Sequence, residues 1–385
     1  MRSVFNAILP VSAALIGVMF LPQCKQPYIS PYTSPKTGYL VVEGYISGNT
    51  LTSFRLSRTI KLSSDTTNPQ EPGATVQVEG TDNSVYPLID EGGGVYNTAD
   101  TLPLTTTAKY RLRIQTQSGG EYLSDYAPYK VTPAIDSINW IQNPDGVTVY
   151  ANTHDDAGNT RYYQWSYDEV WEYHSGEQSG YEYQPLDTTV TFRSLADQIY
   201  RCWQSGSSTA LLIGSTAKLS KDLVYEQPLR QIAANSVTLG VLYSILVRQY
   251  ALTDSGYNYL SLMQKNTESL GTIFDAQPSE LKGNIHSLTN SNEPVIGFVS
   301  AGTVQQQRIF IDHSQLQNWV YSFRCPSPDT SLSPAKADLI ENFASERYTP
   351  IAYDEMAREY ISNFTDCINC TQQGGTTTEP SFWPN

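Results

Sequence analysis

Between Tyr39 and Val131 the chain is a succession of short alternating segments, YLVVEGYIS, SFRLSRTI, ATVQVEG, VYPLI, GVYNT and KYRLRIQT, separated by Gly, Pro, Asn or Asp clusters. A period of two places successive side chains on opposite faces of a strand, and turn residues at this interval bound each strand. In KYRLRIQT, Tyr110, Leu112 and Ile114 fall on one face and Arg111 and Arg113 on the other, so one face is core and the other is wet. Strands of this number and spacing predict an immunoglobulin-like β-sandwich over residues 38–131.

Residues 132–385 keep the β character and add helices. IDSINW, GVTVYANT, RYYQWSYDEVWEY and TLGVLYSILVRQYAL read as strands, and the 27 tyrosines of the chain suit such pleated surfaces. TDSGYNYLSLMQKNTESL reads as a helix capped by Thr253 or Asp254. A second helix is predicted from Thr349 as cap and Pro350 at the first position, with Tyr353, Ala357, Tyr360, Ile361 and Phe364 recurring at three and four. A shorter helix starts at Ser333 and Pro334 in SPAKADLIENF. The predicted fold class is therefore mainly β, with the N-terminal sandwich followed by a larger β-rich domain carrying a few helices.

The apolar run VFNAILPVSAALIGVMF ends in LPQCKQPYISP. Asn6, Pro10 and Ser12 interrupt the run, which favours a cleaved signal over a permanent membrane helix. The segment resembles a bacterial lipoprotein signal, with Leu21 three residues before the cysteine and Gln23 where a small residue is usual. Residues 1–23 are thus predicted to be a signal peptide, Cys24 the lipidated N-terminus and residues 24–37, rich in proline, a tether. The formal charge of −14 excludes nucleic acid as a natural partner. Membrane association must then run through the lipid or a protein partner.

Four cysteines remain, Cys202, Cys325, Cys367 and Cys370, an even number in an exported chain. They predict two disulfides holding the C-terminal tail to the second domain, with three connectivities open. Cys367-Ile368-Asn369-Cys370 has redox-motif spacing, but its place after a predicted helix puts it at the negative end of the dipole, which disfavours a reactive thiolate.

No HExxH, GxSxG, GxxxxGK or GxGxxG occurs, and His154, His174, His286 and His313 are isolated from one another and from the cysteines. No catalytic residue, metal site or cofactor is predicted. HDDAGNT, residues 154–160, reads as a hairpin turn. The distinctive feature is YYQWSYDEVWEY: as a strand it aligns Tyr163, Trp165, Tyr167, Trp171 and Tyr173, with Glu169 between them. These five are the candidate binding residues, an aromatic face for a sugar, peptide or protein; the alternative is one wall of the second domain's core.

YLVVEGYIS after a lipoprotein signal, PGATVQVEG with GGGVYNT, TPAIDSINW, RYYQWSYDEVWEY, CWQS, SLGTIFDAQPSELKGNI with GFVSA, and the terminal CINCTQQGGTTTEPSFWPN resemble, in order, the Bacteroidota lipoproteins called domain of unknown function 4249. The resemblance implies an outer-membrane setting beside a TonB-dependent β-barrel transporter, and it carries no catalytic residues. Lys25, Gln26 and Pro27 follow the cysteine where an acidic pair often directs surface display, so the periplasmic and cell-surface faces both stay open. The expected function is a non-enzymatic accessory lipoprotein in substrate capture or complex assembly. The alternatives are a secreted glycan or peptide hydrolase of unrecognised type and a structural or adhesive envelope module.

Overall fold

A computed structural model describes residues 38–60, 69–268, 281–321, 325 and 329–384. The predicted signal peptide, Cys24 and the tether lie outside the described residues. The first strands are β1 Leu40–Ser47, β2 Ser53–Arg58, β3 Thr75–Gly80, β4 Val85–Gly92, β5 Val95–Asn97, β6 Lys109–Gln115, β7 Glu121–Ser124 and β8 Ala127–Lys130. There follow β9 Ile135–Asn143, β10 Gly146–His154, β11 Tyr162–His174, β12 Tyr181–Gln184, β13 Thr189–Phe192, β14 Arg201–Ser207, β15 Leu212–Ser215, β16 Leu223–Ala233 and β17 Leu242–Ala251. Helix α1, Asp254–Glu268, leads to β18 Ile285–Ser287, β19 Ala301–Gly302, β20 Val304–Asp312 and β21 Thr330–Leu332. Helix α2 Lys336–Leu339, β22 Tyr348–Asp354, β23 Glu359–Phe364 and helix α3 Thr365–Ile368 complete the order. Among the described residues no helix is long and apolar enough to cross a membrane.

The chain is mainly β, as its alternation predicts. The first unit is not the predicted immunoglobulin-like sandwich, which is not identified here; its strands close into a mixed eight-stranded barrel. The closed path runs β6-β3-β4-β5-β2-β1-β19-β8 and returns to β6, where Tyr110 pairs with Ala127. Closure depends on β19, which pairs in parallel with β1 (Ile46 with Ala301) and with β8 (Ala301 with Tyr129). The barrel is thus completed by residues far beyond 131, and Ile285, Val295, Val299 and Ala301 lie in its core with Leu40, Phe54, Leu112 and Ile114. The alternation in β6 behaves as read: Tyr110, Leu112 and Ile114 are buried, while Arg111 and Arg113 both grip Glu79, at 2.7 and 2.6 Å. Burying Leu112 and Ile114 contributes roughly 1.5–3 kcal/mol each. The turn into β5 passes through Gly92, Gly93 and Gly94, with φ of 84, 61 and 72°, a left-handed run that only glycine adopts without strain.

In the second unit, layered packing replaces closure. The three-stranded sheet β16-β10-β9 faces the sheet β14-β11-β17-β20, to which β15 adds at β11. Val147, Val149 and Ala151 of one sheet meet Tyr163, Trp165, Tyr243, Ile245 and Val247 of the other in a shared core. HDDAGNT is a turn but not a hairpin: β10 and β11 belong to different sheets, and the Asp155 carboxylate holds the crossing by accepting from the amides of Ala157, Asn159 and Thr160. Helix α1 starts as predicted, with the Thr253 hydroxyl accepting from the Gly256 amide at 3.1 Å.

The third group of strands carries the clearest correction. The helix predicted from Thr349 to Phe364 is the hairpin β22–β23, joined by β21 into a three-stranded sheet. Asp354 turns the chain by accepting from the amides of Met356 and Ala357, and Arg358 takes the left-handed φ of 57° that re-enters the sheet. Tyr, Ile and Phe at those positions favour a pleated surface over a helix once a neighbouring strand is present. The shorter helix forms at Lys336–Leu339 and continues as a wider turn through Ala344.

Candidate functional site

The aromatic stripe of β11 faces inward. Tyr163, Trp165, Tyr167 and Tyr173 are buried and Trp171 is half-buried, so the five candidate binding residues form a wall of the core and not an exposed face. Three of the polar ends are satisfied inside: Trp165 Nε1 donates to Gln249 Oε1 at 2.9 Å, Tyr163 donates to Asp222 at 2.8 Å, and Tyr173 donates to the Cys370 carbonyl at 2.7 Å, whereas Trp171 Nε1 is buried without a hydrogen-bond partner among the described residues. Glu169 accepts from the Tyr243 hydroxyl at 2.8 Å and from Arg230 at 2.9 Å, which is how a carboxylate is tolerated in this layer.

Glu172 is buried too, and accepts from Arg201 at 2.7 and 2.9 Å, from His174 at 2.9 Å and from Trp383 at 3.1 Å. Burial alone would raise its carboxyl, but the hydrogen bonds from His174 and Arg201 and the Arg201 charge outweigh it and bring the group down to about 2. Trp383 anchors the C-terminal tail here, edge-on to Trp203 at 6.3 Å and to Phe310 at 5.9 Å.

The cysteines pair as Cys202–Cys370 and Cys325–Cys367. The two cysteines of the CxxC segment therefore take separate distant partners, and the long helix predicted before them is strand β23: Cys367 lies in the short helix α3 and Cys370 just after it. Gly176 packs against the second bridge, where a Cβ would come within 2.7 Å of Cys325 Sγ and 2.8 Å of Cys367 Sγ. Trp203 and Thr376 exchange backbone hydrogen bonds at 2.8 and 2.9 Å, so the tail adds to the edge of β14.

These bridges hold up a small unit made of the β12–β13 hairpin and the sheet β21-β23-β22, joined where the Gly180 amide donates to the Ile351 carbonyl. Rings run across it in sequence: Phe192 to Tyr181 at 4.8 Å, Tyr181 to Tyr360 at 6.1 Å, Tyr360 to Phe343 at 6.1 Å and Phe343 to Tyr183 at 6.2 Å. Its edges are apolar and bare. Leu186 is 99 % exposed, Met356 95 %, Leu195 88 % and Phe192 79 %, the four most exposed large apolar side chains among the described residues. Residues 177–200 and 329–366 hold twelve acidic against four basic side chains, a formal −8 of the chain's −14. An exposed apolar and aromatic surface with an acidic field can bind a partner that brings both apolar groups and positive charge.

The signal for this face was present in YEYQPL and in Phe192 and Leu195, apolar residues with no periodic partner, but the helical reading of 349–364 removed the strands that support it. Among the described residues, no group of three His, Cys, Asp or Glu side chains is arranged to hold a metal ion. The family described as Domain of unknown function (DUF4249) matches residues 27–308, a span that takes in the barrel, both large sheets as far as the first half of β20, and the β12–β13 hairpin. No curated protein matches the chain.

Proposed function

The chain belongs to the DUF4249 family, and from that premise we propose that it is a non-enzymatic lipoprotein, anchored in the outer membrane through Cys24, that assembles with a TonB-dependent β-barrel transporter. The observation that carries this reading is the concentration of the most exposed apolar side chains, Leu186, Phe192, Leu195 and Met356, on one small disulfide-held unit. A surface of that kind is held rigid before binding, so little conformational entropy is lost on association. Its excess of acidic groups selects a partner face rich in Lys or Arg and rejects acidic ones. Sharing a membrane with the partner raises the effective concentration, so modest intrinsic affinity suffices. Two disulfides fit a chain that works outside the cytoplasm.

The test is affinity purification from gently solubilised outer membranes, comparing the wild type with a Phe192→Ser, Leu195→Ser double variant. Both side chains are exposed, so the variant should fold with an unchanged unfolding midpoint. Recovery of the β-barrel with the wild type, and a loss of about tenfold or more with the variant, is the expected result. Recovery of no β-barrel, or equal recovery with both proteins, would count against the proposal.

A further inference from the structure

Between the barrel and the β11–β17 sheet runs a cleft in two adjoining halves. One half, about 230 Å³, is lined by Leu252 before α1, by Leu260 and Met263 of α1, and by Ile296 and Phe298 from the segment that leads to β19. The other, about 430 Å³, is lined by polar groups: Ser53 of β2, Ser166 of β11, Arg248 and Tyr250 of β17, and Gln306 of β20. Gly44, Tyr45 and Gln164 line both halves, which makes them parts of one cleft, and Tyr45 packs edge-on against Tyr250 at 5.0 Å.

The charges in the two halves are opposite. Among the described residues, Arg248 is the one charged residue lining the polar half, and Glu43, which is exposed, is the one lining the apolar half. Arg248 pairs with Asp168 at 2.6 Å, and Asp168 is half-exposed. Arg308 does not line the cleft but lies close to this pair, donating to the Ser244 hydroxyl at 2.8 Å, so among the described residues two guanidinium groups stand near one carboxylate at this end of a strongly acidic protein. An anionic head group would be attracted at the Arg248 end and repelled by Glu43 at the other. Arg presents a planar fork that matches a carboxylate, and an apolar chain in the other half would regain dispersion contacts that the hollow forfeits. Clefts between packed units, mostly apolar with a few placed polar groups, are where small ligands usually bind.

We propose that this cleft binds a medium-chain monocarboxylate, with its carboxylate at Arg248 and its chain against Leu252, Leu260, Met263 and Phe298. The site is separate from the exposed hairpin unit, and it can be tested on the purified protein with no partner present. The full-length lipoprotein is held in nanodiscs and titrated calorimetrically with octanoate, with empty nanodiscs as the blank and octylammonium as the charge-reversed probe. Saturable binding of octanoate, with octylammonium at least tenfold weaker, is expected. Arg248→Gln should weaken octanoate about tenfold, Arg248→Lys should recover part of the loss, and Met263→Trp, which fills the apolar half, should abolish binding. Absence of saturable heat, equal binding of the two probes, or unchanged affinity in both Arg248→Gln and Met263→Trp overturns the proposal. Should a variant lose its folded circular-dichroism spectrum, the comparison of the two probes on the wild type decides alone.

Discussion

Replacing Trp383 with Ala removes the buried foot of the tail, and the structure sets the size of the effect. The indole is 5 % exposed, lies between Trp203 and Phe310, and donates Nε1–H to Glu172. Deleting a buried aromatic of this kind costs about 3–5 kcal/mol. Glu172 keeps Arg201 and His174 as partners, so no unpaired buried charge is created and the loss should stay inside that range. Trp383→Phe separates the two contributions: it keeps most of the ring packing and loses a hydrogen bond to a charged acceptor, worth about 1.5–3 kcal/mol. Equilibrium urea unfolding of the oxidised protein, followed by tryptophan fluorescence and by circular dichroism, gives both values if the slopes are unchanged. The expected order of midpoints is wild type, then Trp383→Phe, then Trp383→Ala. An Ala variant within about 0.5 kcal/mol of wild type, the range of ordinary surface substitutions, would refute the assignment of the tail to the folded core.

The carboxyl of Glu172 lies at about 2 in the folded chain against an ordinary 4.5, so its contribution is present above 4.5 and is lost as pH falls from 4.5 toward 2. Urea midpoints of wild type and Glu172→Gln measured across that window should therefore converge at the acid end, and parallel curves would show that the group is not the source. Removing Cys202–Cys370, which spans 168 residues, should destabilise more than removing Cys325–Cys367, which spans 42, each by about 2–4 kcal/mol. Paired Cys→Ala variants compared by denaturation check the order, and thiols labelled in the unreduced native protein would contradict both bridges.

The strands of the first unit were legible because most of them, β1, β2, β3, β6 and β7 above all, bury one face, and KYRLRIQT states its burial pattern residue by residue. Closure into a barrel was not legible, since the closing strand is the two-residue Ala301–Gly302, too short to show any period, and it is recruited by parallel pairing with β8 and, across more than half the chain, with β1. The segment 349–364 misled for a related reason. Apolar residues spaced at three and four also arise when two alternating strands are joined by a four-residue turn, and nothing local separates the two patterns. In YYQWSYDEVWEY the alternation was plain, but which side was covered depended on Val147, Val149 and Ala151 of another sheet. The cysteine partners likewise depend on the tertiary path and not on spacing.

A barrel sealed by Ala301 and Gly302 carries a schedule for its own assembly. When only the first hundred or so residues of the folded portion have been released to fold, β1 and β8 have nothing to join them, and each presents a row of free amide and carbonyl groups. Such edges invite pairing with any other extended chain, and a contact spanning more than 250 residues closes slowly because loop-closure entropy must be met first. The N-terminal unit is therefore the first to emerge and among the last to be finished. For as long as that interval lasts, its safety rests on chaperones that keep open strand edges apart.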